Sequence, residues 1–318
     1  MKSFIKIILF SLSVTSFYCH ANCTLNGSTI TQTVSPTSFT VQRDTPIGSV
    51  VKTIDLPLSN QQMGGCSSGA ATNYYRFIYN GAQPSGYPHY YKTPVVGIAM
   101  SATTTGMNGG LFGYYDNPQF VDSFSGPIGI YTGTKTTISF IKIADVVPGV
   151  LPAGQIGTWT ADSGSTFMNL FMNSLSISQV ACSINTPALI FPIGNVLVSS
   201  FGSSIGTTPA VAQNTQNLGL NCNPGANINV SLSGTQNPDV STTSVLALTG
   251  QGGANVAKGV GVQILYNSSP LVLNSRIVLK TSSGGQETFP LTARYYQTKT
   301  TVATGTANAS ATLNITYQ

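Results

Sequence analysis

Charged side chains are scarce in this chain of 318 residues: Asp, Glu, Lys and Arg together make up only 7% of it. A typical soluble domain carries about 25%. The 13 basic and 8 acidic residues give a formal net charge of +5, and the basic residues are spread singly along the chain. Because nucleic-acid binding proteins cluster such residues on one face, the sequence predicts no nucleic-acid partner.

Residues that perform catalysis are also few. The chain has two histidines, and Glu287 is its single glutamate. It contains no Cys-x-x-Cys motif, no closely spaced histidine pair and no EF-hand loop, so the common zinc and calcium motifs are missing. Asp116 and Asp122 form the one close carboxylate pair that a glycosidase would need. Surface loops often carry aspartates as turn formers, so this pair does not indicate catalysis. Together these observations predict no catalytic residue, metal or cofactor.

A long hydrophobic run is missing after residue 21, so no segment there predicts a membrane helix, which needs about 20 apolar residues. The first 21 residues instead have the pattern of a secretory signal peptide. Lys2 and Lys6 precede a short apolar run at 7–14, and Ala21 ends the predicted cleavage site. We expect cleavage after Ala21 and export of the mature chain.

Four cysteines remain after that cleavage, and four cysteines allow three pairings. They fall as one pair in each half of the chain: Cys23 with Cys66, and Cys182 with Cys222. In an oxidising compartment, pairing within each half is the simplest choice. In the chain-entropy model, a disulfide that closes a loop of this length stabilises each domain by about 4 kcal/mol.

Helical periodicity is nearly absent, because Gly or Pro interrupts almost every candidate. Short alternating runs between turn residues predominate, which is typical of β-sandwiches. The clearest run is 307–317, where Ala307, Ala309, Ala311, Leu313, Ile315 and Tyr317 alternate with polar residues. A period of two predicts a strand with one buried face. On pattern alone, it is the last strand of a complete sandwich.

The composition changes near Gln179. Before this point the chain is aromatic and irregular, whereas after Cys182 it has shorter strands and repeated Asn, Gly and Ser turns. We therefore predict a signal peptide at 1–21 and two all-β domains at 22–179 and 180–318, joined by a linker of a few residues.

The second half resembles the pilin domain of chaperone–usher fimbriae. This resemblance is carried by Cys182, Cys222, the segments 258–264 and 290–297, and an alternating end with Tyr317 as the penultimate residue. The first half resembles the receptor-binding domain of fimbrial tip adhesins, and is most similar to that of type 3 fimbriae. The segments 44–50 and 138–142 carry this likeness, together with Cys23; residues 60–130 match no known pattern.

The resemblance implies an incomplete immunoglobulin-like pilin domain that lacks its final strand. A periplasmic chaperone would lend that strand, an outer-membrane usher would assemble the fimbria, and the next subunit would donate the permanent strand. Leu313, Ile315 and Tyr317 are the expected groove-facing residues at this edge. A whole domain precedes Cys182 in place of a free donor extension. The resemblance therefore implies a place at the fimbrial tip, on the cell surface.

Two aromatic clusters are candidates for the receptor site. Rings beside Asp and Asn groups suit a sugar or protein ligand. The candidates are Tyr87, His89, Tyr90, Tyr91, Tyr114, Tyr115, Asp116, Asn117 and Trp159. We expect the strand-like segment 74–79 to lie in the core instead, and Trp159 suits either a core or a ligand platform.

The sequence thus favours a fimbrial tip adhesin that binds a host glycan or an extracellular-matrix protein. Two alternatives stay open: a structural or adaptor pilin with no receptor of its own, and a secreted hydrolase fused to a pilin-like module. The hydrolase would depend on Asp116. Receptor binding by the first half would separate the adhesin from the pilin.

Overall fold

The computed structural model describes residues 22–107, 111–161 and 164–318. The predicted signal peptide at 1–21 lies outside these described residues. Within them the chain is almost entirely β-structure, with short 3-10 helices at Tyr79–Ala82 and Val198–Ser200. No described helix has the length and apolar character needed to cross a membrane.

The described strands are, in chain order, β1 (Cys23–Leu25), β2 (Ile30–Val34), β3 (Phe39–Gln42), β4 (Val50–Pro57), β5 (Gln62–Phe77), β6 (Tyr91–Lys92), β7 (Ile98–Met107), β8 (Leu111–Tyr114), β9 (Phe120–Tyr131), β10 (Lys135–Lys142), β11 (Gly149–Leu151), β12 (Gly154–Ala161), β13 (Thr166–Met172), β14 (Leu175–Val180), β15 (Cys182–Ile184), β16 (Gln213–Cys222), β17 (Asn227–Ser233), β18 (Val260–Tyr266), β19 (Ser269–Pro270), β20 (Arg276–Thr281), β21 (Gly285–Gln297) and β22 (Thr312–Tyr317).

Strands β1 to β14 form three sheets around one aromatic core. The first has the order β1-β5-β12-β13-β2, with β9 paired to β5; the second has the order β4-β10-β7-β6, with β8 paired to β7; and the third is β11-β14-β3. Strand β10 shows why the sequence forms these sheets, because Thr136, Ile138 and Phe140 alternate inward. The largest fully buried side chains include Tyr75, Trp159 and Phe167.

Strands β15 to β22 form two sheets, β15-β16-β21-β18-β19 and β20-β17-β22, which enclose a second, aliphatic core. The final strand is shorter than the predicted 307–317: β22 begins only at Thr312. Ala307 and Ala309 still pack against the core, but the segment 307–311 has no ladder partner among the described strands. Side-chain alternation alone cannot supply the neighbouring backbone that a ladder needs.

Both predicted disulfides are present. Cys23 and Cys66 face each other across β1 and β5, and Cys182 and Cys222 do so across β15 and β16. Each bridge therefore closes a loop within one half of the chain, which confirms the pairing predicted from the spacing.

The two cores meet at the end of β14. The first hydrophobic cluster extends to Ile177 and the second begins at Val180. Only Ala181 separates β14 from β15, so the connection is shorter than the linker expected from the composition. The domain boundary at residues 179 and 180 stays a prediction.

Candidate functional site

The two aromatic clusters predicted from the sequence lie side by side. Strands β6 and β8 both pair with the same strand, β7: Tyr91 lies opposite Met100, and Tyr114 lies opposite Thr103. The loop before β6 and the connection after β8 consequently reach the same part of the surface. We call this surface, formed by residues 87–91 and 114–117, the aromatic surface.

Asp116 joins the two loops of the aromatic surface. Its Oδ2 lies 2.9 Å from His89 Nδ1, while its Oδ1 accepts hydrogen bonds from the Tyr91 hydroxyl and, at 3.1 Å, from the backbone N–H of Asn117. His89 also stacks on Tyr114, with ring centroids 4.0 Å apart and planes 9° from parallel. Both carboxylate oxygens already serve the protein, so Asp116 acts as a positioning residue rather than a free acceptor for ligand.

Tyr91 belongs to this scaffold rather than to the exposed surface. It is buried, and its ring stacks on Phe77 with centroids 4.5 Å apart. Its hydroxyl accepts a hydrogen bond from the Asn117 backbone N–H at 2.6 Å. Burial and the Asp116 carboxylate raise the pKa of Tyr91, so the phenol stays protonated and can donate to Asp116.

Two further candidates lie in the core. Tyr115 is fully buried, and this burial raises its pKa to about 12. Trp159 is equally buried, 5.0 Å from the ring of Tyr75, and its indole N–H has no hydrogen-bond partner among the described residues. The expectation that Tyr91 and Tyr115 face a ligand therefore needs correction, and Trp159 is a core residue. Tyr91 and Trp159 lie in strands, and Tyr115 directly follows one. The inward positions of strands favour aromatic rings.

The remaining candidates reach the surface. Tyr87 is 37% exposed, Asn117 is exposed, and Tyr90, His89 and Tyr114 are partly exposed. These side chains can contact a ligand without first leaving the core.

A shallow depression beside the aromatic surface was not predicted. It is lined by Arg76, Phe77, Ile78, Asn117, Pro118 and Gln119. The alternation of β5 buries Tyr75 and Phe77 and leaves Arg76 exposed, so the expected core segment also has an outward face. That period-two pattern could have identified Arg76, but its proximity to Gln119 depends on the pairing of distant segments.

An apolar groove of about 910 Å³ lies along the second half of the chain. One rim is the segment 186–195 and the other is 307–313 with Ile315, and the lining contains no charged residue. Leu313 and Ile315 line the groove as the resemblance implies. Tyr317 does not line it: the ring is only 1% exposed, and its hydroxyl donates to the Cys182 carbonyl oxygen at 3.2 Å. The face of β22 that lines the groove at Leu313 and Ile315 is therefore enclosed at Tyr317, where the strand contacts Cys182.

The described residues contain no group of three or more His, Cys, Asp or Glu side chains that could hold a metal ion. Asp116 is engaged by three groups of the protein itself, which leaves no free carboxylate there for the hydrolase alternative.

Comparison with known proteins identifies both halves. Residues 37–175 match the MrkD-like receptor binding domain, and residues 173–318 match the fimbrial protein family. A fimbria adhesin protein of Klebsiella pneumoniae is 26% identical over 97% of this chain and 97% of its own. The type 1 fimbrial subunit of Salmonella typhimurium is 27% identical over 59% of this chain and 98% of its own.

A solved structure, the receptor binding domain of the adhesin MrkD1P of Klebsiella pneumoniae, is 18% identical with a TM-score of 0.42, and the alignment covers 52% of this chain and 99% of that one. The two family matches, however, together span residues 37–318. The chain therefore belongs to the fimbrial adhesins, non-enzymatic proteins in which a receptor-binding domain precedes a pilin domain.

Proposed function

We propose that this protein is a fimbrial tip adhesin that attaches bacteria to a host glycan or an extracellular-matrix protein. The observation that carries the proposal is that the chain combines an exposed aromatic surface with a separate apolar groove. The first is suited to a receptor, and the second to attachment within a fimbria.

The aromatic surface has the properties of a binding site. Tyr87 and Tyr90 expose ring surface, and Asn117 adds a polar group beside them. The Asp116 hydrogen bonds fix both loops before a ligand arrives, so little conformational entropy is lost on binding.

The groove supports attachment by donor-strand complementation. Neither segment 186–195 nor segment 307–311 belongs to a strand of the sheets described above. Alternate residues on both rims, including Leu189, Phe191 and Ile193, pack against the core. A strand inserted between the rims would gain main-chain hydrogen bonds and apolar contacts together. We propose that a periplasmic chaperone and then the next subunit supply it, during transit through the periplasm and the outer-membrane usher.

The test is adhesion by whole fimbriae. Tyr90→Ala should reduce attachment to a glycan or matrix array while the fimbriae still assemble and the protein keeps its melting temperature. Unchanged attachment by both Tyr87→Ala and Tyr90→Ala would refute this receptor surface and favour a structural pilin.

A further inference from the structure

Arg76 is a cation without an acidic partner at the margin of the aromatic surface. It lies on β5 with its side chain exposed, between the buried Tyr75 and Phe77. Among the described residues, no carboxylate lies within ion-pair distance of it. The guanidinium therefore places a positive charge at this site that no carboxylate of the described residues neutralises.

Gln119 orients this guanidinium. Arg76 Nε donates to Gln119 Oε1 at 2.8 Å. Arginine can only donate, so the contacting atom of Gln119 must be its carbonyl oxygen, and its NH2 group faces elsewhere as a further donor. Arg76 and Gln119 together therefore present several N–H donors to a ligand. Such a set is suited to an anionic ligand group.

The rest of the depression indicates what accompanies that anion. Asn117 Nδ2 donates to the Ala82 carbonyl oxygen at 3.0 Å, which leaves Asn117 Oδ1 as an acceptor for a hydroxyl group. Ile78 is 41% exposed and, with Pro118, adds apolar wall. Asn117 also belongs to the aromatic surface, where its backbone N–H donates to the Tyr91 hydroxyl, so the depression adjoins that surface.

We infer that the Arg76 depression binds the carboxylate or sulfate group of an acidic polysaccharide, while Tyr87 and Tyr90 contact neighbouring sugar rings. A polysaccharide suits this site because it combines anionic groups, hydroxyls and the apolar ring faces that aromatic side chains stack against. This inference rests on the proposed receptor role of the aromatic surface and adds the chemical class of the ligand.

The experiment uses the full exported protein and four immobilised probes: hyaluronan, which carries only carboxylates; dextran sulfate, which carries only sulfates; neutral dextran; and poly-glutamate. We expect binding to hyaluronan or dextran sulfate, weakening with ionic strength, and none to neutral dextran. Arg76→Gln should reduce that affinity at least about tenfold, because a charge-assisted bidentate contact is lost. Arg76→Lys should restore only part of it, because an ammonium lacks the planar fork.

Lys92→Gln provides the matched control, since Lys92 is exposed on β6 and its loss changes the net charge equally. It should leave binding within about twofold of wild type. Gln119→Ala should weaken binding even if Arg76→Gln proves unstable, because it removes the group that orients the guanidinium.

The inference is overturned if Arg76→Gln and Lys92→Gln weaken binding equally, or if neither acidic polysaccharide binds. It is also overturned if poly-glutamate is the only probe whose binding depends on Arg76, because the ligand would then be an acidic protein. Loss of attachment with Tyr90→Ala but not with Arg76→Gln would overturn this inference while leaving the proposed adhesin function intact.

Discussion

Asp44 and Tyr317 are joined by two reciprocal hydrogen bonds, although 273 residues separate them in the chain. The Asp44 N–H donates to the Tyr317 carbonyl oxygen at 3.0 Å, and the Tyr317 N–H donates to Asp44 Oδ2 at 2.8 Å. Arg43 lies 4.6 Å from the centre of the Tyr317 ring. These contacts connect the turn between β3 and β4 to the end of β22, the strand that borders the groove.

Gln42 strengthens the same junction. Its Nε2 donates to the Gly225 carbonyl oxygen at 2.7 Å, and its Oε1 accepts from the Asn227 N–H at 3.0 Å. The two halves therefore share a hydrogen-bonded contact beside the covalent connection at Ala181.

Asp44→Ala should destabilise this junction by about 1–2 kcal/mol, because the Tyr317 N–H loses a charged acceptor. Differential scanning calorimetry of the full protein measures the effect. Asp55→Ala is the matched control: Asp55 is exposed and pairs with Lys135 at 3.1 Å, and a surface ion pair contributes at most about 1 kcal/mol. Equal destabilisation by the two variants would contradict a structural role for the junction.

The junction should also weaken in acid. Burial acts to raise the pKa of Asp44, but hydrogen bonds from Arg43 and Tyr317 and the nearby positive charges hold it below its ordinary value. A depressed folded-state pKa stabilises the fold fully above the unfolded-state pKa of about 3.9, and this stabilisation is lost as the pH falls through the lower folded-state pKa. Asp44→Asn should therefore lower the melting temperature at about pH 6 more than at about pH 3. A pH-independent difference would contradict this linkage.

Asp116→Ala should lower both stability and receptor binding. Removing the carboxylate leaves the buried Tyr91 hydroxyl without its acceptor and frees His89, at a cost of about 1–3 kcal/mol. Tyr90→Ala should weaken binding while changing stability by no more than about 0.5 kcal/mol, as expected for a surface side chain. Thermal unfolding and array binding of both variants would separate the two roles. An Asp116→Ala protein with unchanged melting temperature would contradict the scaffold described above.

The sequence predicted much of this architecture because the relevant signals are local. Alternation identified the strands, and the spacing of Cys23, Cys66, Cys182 and Cys222 identified the two disulfides, since each pair bridges adjacent strands. Resemblance supplied the family. These features depend on neighbouring residues or on a pattern already known.

The details of the site were harder to predict because they depend on distant pairings. The sequence marked Tyr91 and Asp116 as candidates for the receptor site, but the hydrogen bond between them follows from β6 and β8 sharing β7. Trp159 was ambiguous because a large ring suits either a core or a ligand platform. Its burial is decided by Tyr75 and Phe167 on the two neighbouring strands, and of these Tyr75 is distant in the sequence.

Trp159→Ala should accordingly destabilise the protein by about 3–5 kcal/mol through the cavity it leaves. Trp159→Phe should cost less, because it keeps an aromatic ring and the lost indole N–H makes no hydrogen bond among the described residues. Denaturant unfolding measures both values. Receptor binding by the folded fraction of either variant should match wild type, and a selective loss of binding would return Trp159 to the ligand site.

The last prediction concerns the groove and its donor strand. Ile315 lines the groove and lies opposite Val230, whereas Asn314 is exposed and donates to Ser233 Oγ at 2.9 Å. Ile315→Asp would place a carboxylate where an inserted strand covers the groove, and the groove lining offers no charged partner. Burying that charge should cost several kcal/mol, about 3–5, and block capture by the chaperone.

The measurement is the periplasmic yield of the full exported chain, co-expressed with its chaperone. Wild type and Asn314→Asp should give soluble complexes, because a carboxylate at position 314 stays in water and can accept a hydrogen bond from the Ser233 hydroxyl in place of the one that Asn314 donates. Ile315→Asp should be degraded or insoluble, because an uncovered apolar groove and unpaired edge promote aggregation. A donor strand fused after Gln318 should restore soluble monomer to the wild-type chain without a chaperone. If the wild-type chain accumulates as a stable monomer without a fused donor strand and without a chaperone, the groove does not need an inserted strand. Donor-strand attachment is then wrong.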